Sequence, residues 1–134
     1  MPSLGFAAMF AERVERGEKL HSIRSRRKRP EQWLPGKSVH LFTAMRTKYC
    51  RRLGLGIITA VDDITILDNA VEIDGVLVDT ERELSAFARA DGFLTWSQFH
   101  SFFAEHYGLP WSGSLIRWQL IKPDLTNAQE GKSS

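Results

Sequence analysis

Gly17-Glu18-Lys19-Leu20-His21-Ser22-Ile23-Arg24, running on through Ser25 into Arg26, Arg27, Lys28 and Arg29, brings a lysine, a hydroxyl and an arginine close together. Side chains of an extended segment alternate between faces, so Ser22 and Arg24 share one face and Lys19 lies on the other. A turn at Gly17 brings Lys19 round beside the Ser22–Arg24 face, and the basic run then forms its rim. Such a wall suits an anionic ligand or a polar ring such as a nucleobase.

Upstream, Phe6, Met9, Phe10 and Val14 recur at three- and four-residue spacing. That spacing predicts an amphipathic helix over Gly5–Arg16, stopped by Gly17. Downstream, Arg26, Arg27, Lys28, Arg29 and Lys37 stand among Pro30, Pro35 and Gly36, the composition of a loop. Strands are expected over Ser38–Met45 and over the β-branched run Gly54–Ile66, bent or bulged at Gly54 and Gly56. Asp74-Gly75 between the arms Val71–Ile73 and Val76–Val78 is a two-residue hairpin signature. Thr80 with Glu83 is a capping box for a helix from Glu81 to Ala90, which Asp91-Gly92 ends. Thr95 or Ser97 starts a second helix carrying Phe99, Phe102, Phe103 and Tyr107, and Leu115–Ile121 is the closing strand.

A length of 134 residues with 43% hydrophobic and 25% charged residues suits one soluble domain with a real core. The expected organisation is a single domain over residues 1–122 and a flexible polar tail over 123–134. No apolar run approaches the ~18–20 residues of a membrane span. The N-terminus lacks a secretory pattern, so a cytoplasmic location without membrane attachment is expected. Cys50 is the single cysteine, expected as a small buried or half-buried thiol. His100 and His106 are six apart, wrong for one helical face, and neither a metal site nor a cofactor is expected.

The net charge of +2 conceals an asymmetry. Residues 1–53 hold 13 Lys/Arg against 4 Asp/Glu, whereas residues 54–134 hold 5 against 12. Such polarity directs a field that attracts a polyanion to one side. Trp33 follows the first basic run, and Arg46, Lys48, Arg51 and Arg52 surround Tyr49. Basic residues interleaved with aromatics suit single-stranded nucleic acid, where stacking adds ~1–3 kcal/mol per base.

A strand-rich chain interrupted by one helical pair points to an α+β fold, a small β-barrel with helices flanking or capping it. The ordered set Gly17, Lys19, Ser22, Arg24; Pro35-Gly36-Lys37; Asp91-Gly92-Phe93 with Thr95, Phe99 and Phe102-Phe103; and Ile116-Arg117-Trp118 resembles the ASCH domain family of the PUA-like superfamily. The resemblance spans residues 5–121. It implies a PUA-like barrel with a basic cleft, associated with RNA or with modified bases. Some small bacterial members resemble amidohydrolases of acetylated cytidine nucleosides that use a lysine, a threonine and a carboxylate. By that resemblance Lys19 falls on the lysine, Ser22 on the threonine and Asp91 near the carboxylate, with serine replacing threonine and aspartate replacing a longer glutamate.

Three functions follow as expectations. The first is recognition of RNA, single-stranded nucleic acid or a modified nucleoside by a cleft of Lys19, Ser22, Arg24 and Asp91. The second is hydrolysis of an acetylated cytidine-type nucleoside or of RNA. There Lys19 activates the Ser22 hydroxyl, Asp91 acts as base or orients the lysine, and Arg24 stabilises developing charge. The third is a non-enzymatic adaptor whose acidic hairpin (Asp62, Asp63, Asp68, Glu72, Asp74) docks a basic protein partner.

Overall fold

A computed structural model describes residues 3–25, 33–45 and 47–123. Arg26, Arg27, Lys28, Arg29, Arg46 and the tail beyond Pro123 lie outside the described residues. The chain opens with a strand, Ser3–Phe6 (β1), and turns at Ala7 into the helix Ala8–Glu15 (α1). The expected helix is thus shorter at its start. Leu4 and Phe6 alternate with half-buried neighbours and face the core, while β1 pairs in parallel with Ser38–Thr43 (β3). Thr43 Oγ1 donates to the Phe6 carbonyl at 2.9 Å and closes that pairing.

His21–Arg24 forms β2, and the long strand Arg51–Ile66 (β4) is the spine of the sheet. One edge of β4 carries β3 beside residues 51–57 and Val71–Ile73 (β5) beside residues 64–66. Its other edge pairs antiparallel with the closing strand Trp111–Pro123 (β7) along residues 54–66, and β2 adds to the far side of β7. A register shift at Leu55/Gly56 supplies the expected bulge. Val76–Val78 (β6) returns along β5 through Asp74-Gly75, whose φ angles of 50° and 81° are those of a type I′ turn.

Closure into the expected barrel requires β1 to pair with β2. In the seven-stranded sheet both are instead edge strands, with no ladder between them among the described residues. A side chain spans the opening: Arg24 Nη2 donates to the Gly5 carbonyl at 2.6 Å. The fold is α+β, with an open sheet.

Two helices cover it. Glu81–Ala90 (α2) is capped by Thr80, whose Oγ1 accepts from the Glu83 amide at 3.2 Å. Trp96–His106 (α3) is capped by Thr95, which accepts from the Gln98 amide at 3.0 Å. Phe93 and Phe99 meet edge-to-face at 5.4 Å between the helices, and each such ring contributes roughly 1.5–3 kcal/mol on burial. Leu41, Leu53, Ile58, Leu115 and Ile116 of the sheet belong to the same buried core. Among the described residues no helix is long and apolar enough to cross a membrane.

Candidate functional site

The end of α1 aims Lys19 into the protein. The Glu18 and Lys19 amides both bond back to the Arg13 carbonyl, and the Leu20 amide donates to Ala90 O at 2.7 Å. The Leu20 carbonyl in turn accepts from the Trp118 amide. The segment is thereby stitched between the C-terminus of α2 and β7, and Lys19 is only 3% exposed.

Asp91, also 3% exposed, caps the C-terminal end of α2 and meets Lys19 there. Lys19 Nζ donates to the Asp91 carbonyl and lies 3.5 Å from Asp91 Oδ1. Negative partial charge at a helix C-terminus favours a cation, so the lysine also completes the cap of α2. The Phe10 ring centroid is 4.8 Å from Nζ. Burial pushes the Lys19 pKa down, Asp91 opposes that shift, and Arg24 adds to it.

His21 is buried as well. Its Nδ1 bonds Asp91 Oδ1 at 2.9 Å and its ring stacks on Phe87 at 4.8 Å. Burial holds the imidazole below its ordinary value of 6.5 despite Asp91, so near neutrality the ring is neutral and donates through Nδ1–H. The folded state then binds fewer protons than the unfolded chain below about pH 6.5, and stability falls as pH drops through that range. His21→Asn keeps an N–H near Asp91 without titrating. It is expected to flatten this acid limb, as read from urea midpoints between about pH 5 and 7.

Ser22 Oγ accepts from Arg24 Nε at 2.7 Å, and the Arg24 guanidinium sits 5.2 Å from the Phe6 ring centroid. Lys19 makes no hydrogen bond to Ser22. Two polar pairs, Lys19–Asp91 and Arg24–Ser22, therefore line one cavity of about 240 Å³, walled also by Phe6, Phe10, Phe93, Phe102, Phe103 and Tyr107. Asp91 meets both Lys19 Nζ and His21 Nδ1 through Oδ1, and Oδ2 has no partner among the described residues.

The other predicted residues lie elsewhere. Trp33, expected to stack on a base, is 4% exposed within the core. Lys48 lies over the Tyr49 ring, 72% exposed, at 5.3 Å, and Arg51 pairs with Glu15 at 2.5 Å. Arg52 is exposed, and none of these lines the cavity. Cys50 is exposed, not buried as expected. The acidic hairpin is partly spent internally: Asp62 accepts from Arg117 at 3.2 Å and Asp74 from the Asp63 amide at 2.9 Å. The aromatic cavity wall is absent from the sequence expectation, because Phe102 and Phe103 carry the same spacing signal as core residues.

No protein-family model matches the chain, and no curated protein matches it. Solved structures do. The ASCH protein of Zymomonas mobilis superposes with a TM-score of 0.53 at 15% identity, covering 98% of this chain and 78% of that one. The fold is ASCH-like. A DUF984 protein from Enterococcus faecalis V583 shares it, with a TM-score of 0.53 at 17% identity over 92% of this chain and 82% of that one. At such identities the likeness is one of fold, and the chemistry of the cavity in this ASCH-like fold rests on its own residues.

Proposed function

We propose that this ASCH-like domain binds a nucleobase of RNA, or of a modified nucleoside, in the cavity between Lys19, Ser22, Arg24 and Asp91. The observation that carries the reading is the convergence of donors and one open acceptor against aromatic walls. Asp91 Oδ2 can accept from an exocyclic amine, while Lys19 Nζ and the Ser22 hydroxyl can donate to ring carbonyls. Phe6, Phe10 and Phe93 meet the ring face. A volume of about 240 Å³ falls below the ~300 Å³ of the smallest drug-sized pockets, which suits one ring system. Filter binding at low salt is expected to show affinity for single-stranded RNA that falls linearly on a log–log salt plot. Lys19→Met is expected to weaken binding about 10- to 150-fold, the loss of one charge-assisted bond, with a melting curve to confirm folding. Absence of affinity for any RNA or free nucleoside ends this reading.

Hydrolysis of an acetylated cytidine-type nucleoside, or of RNA, is the second reading. Burial that lowers the Lys19 pKa, within the cavity that holds Ser22, favours it. Against it, the partner of Ser22 Oγ is a guanidinium, which cannot accept the hydroxyl proton. Product release from acetylcytidine that Lys19→Ala abolishes supports hydrolysis; no product from a panel of modified nucleosides and RNA leaves binding alone.

A further inference from the structure

Aromatic rings continue outward from the cavity past what the core requires. Phe103 is buried in the cavity wall and packs on Tyr107, with centroids 5.5 Å apart and planes 28° apart. Tyr107 lines the same cavity yet remains 55% exposed. Trp111, half-buried at the start of β7, stands 5.2 Å from Tyr107 and 5.8 Å from Phe103. The indole folds back over its own strand. A Cβ at Gly113 would lie 2.4 Å from the Trp111 ring and 2.5 Å from the Arg24 carbonyl, so glycine at 113 is what admits the ring there. Beside this pair the exposed His106 stacks on Phe102 at 4.2 Å, its Nδ1 bonded to the Phe102 carbonyl.

A contiguous apolar surface left in water marks a contact site. Aromatic rings presented beside a pocket for one base are how proteins hold the neighbouring base of a single strand. We infer that Tyr107 and Trp111 form a stacking step for the base adjacent to the one in the cavity, so that the occupant is a single-stranded RNA segment of two or more nucleotides. The inference rests on the base-binding reading of the cavity. Charge favours the same occupant: the partly exposed Arg24 lies on the cavity wall, which suits a phosphate linking successive bases.

Anisotropy with a labelled oligouridylate, alongside competition by uridine monophosphate, tests it. The unaltered protein is expected to bind the oligonucleotide about tenfold or more tighter than the mononucleotide. Trp111→Leu keeps an apolar side chain but no ring, and is expected to weaken the oligonucleotide roughly 5- to 150-fold while leaving the mononucleotide unchanged. Trp111→Phe restores most of the loss. Tyr107→Ala, at a position 55% exposed, also weakens the oligonucleotide, with a melting curve to confirm folding. Equal affinity for both probes in the unaltered protein, or a Trp111→Leu variant that weakens both alike or neither, overturns the stacking step and leaves the base-binding cavity standing. No binding of either probe overturns both. A dimer that Tyr107→Ala dissociates assigns the rings to a second copy and likewise overturns the step.

Discussion

Asp91→Ala is expected to destabilise the fold by about 3–5 kcal/mol, because it strands a buried cation and a buried imidazole donor together. Lys19 Nζ lies 3.5 Å from Asp91 Oδ1 and His21 Nδ1 lies 2.9 Å from the same oxygen, with all three side chains at 5% exposure or less. Removing one partner of a buried pair leaves the other charge without water and without a counter-charge. The main-chain carbonyl of residue 91 remains to accept from Lys19, so part of the contact survives. For a domain of 134 residues the loss corresponds to a fall in Tm of roughly 10–25 °C. Lys19→Met combined with Asp91→Ala is expected to recover the part due to the stranded cation, since apolar replacement of a buried pair is often close to neutral, while His21 Nδ1 stays without its carboxylate. A single Asp91→Ala variant that melts with the unaltered protein would show that the pair carries no such energy.

That cycle also separates two roles of Lys19. The lysine completes the C-terminal cap of α2, which is structural, and it presents an ammonium to the cavity, which is functional. If the double variant regains stability but not RNA affinity, the Lys19–Asp91 pair acts on ligand beyond its service to the helix, and Lys19→Met with Asp91 intact gives the ammonium's share.

The parts of the fold that are legible in the sequence are those whose cause is local. Thr80 and Glu83 cap α2 across three residues, Asp74-Gly75 closes its hairpin through the two intervening backbone conformations, and the β-branched run declares β4. β1 has no such signal. Its partner strand lies 37 residues away, and the Phe6-to-Phe10 interval that fits one helical turn hides a change from strand to helix at Ala7. Whether a sheet closes is equally non-local, since it depends on two edge strands meeting, and here Arg24 crosses to Gly5 in place of a ladder. In the site, Ser22 and Arg24 share a face by simple alternation, as their 2.7 Å hydrogen bond reflects. Asp91 lies 72 residues beyond Lys19, and no spacing rule in the chain joins them. It entered through resemblance to ASCH domains. His21 projects to the other face of the same strand, and only the packing of Phe87 from α2 decides that this face is covered.

Gly92→Ala is expected to cost about 2–6 kcal/mol, combining backbone strain of ~1–3 kcal/mol with overpacking of ~1–3 kcal/mol. Its φ of +102° is a conformation that L side chains rarely adopt, and a Cβ there would lie 2.8 Å from Phe10 Cδ1 and 3.3 Å from Lys19 Cδ. Phe10 has little room to retreat, since it meets Phe93 edge-to-face at 5.3 Å and holds the Lys19 ammonium 4.8 Å from its ring. The displacement therefore passes into the cavity wall, and ligand affinity is expected to fall even where circular dichroism reports a folded protein. Gly75→Ala is the control: its φ of +81° imposes backbone strain, but nothing lies within 4 Å of the added carbon. Urea midpoints that fall equally in the two variants would refute the contact with Phe10. A larger fall for Gly92→Ala, accompanied by weaker RNA binding, ties the backbone turn after α2 to the placement of Lys19.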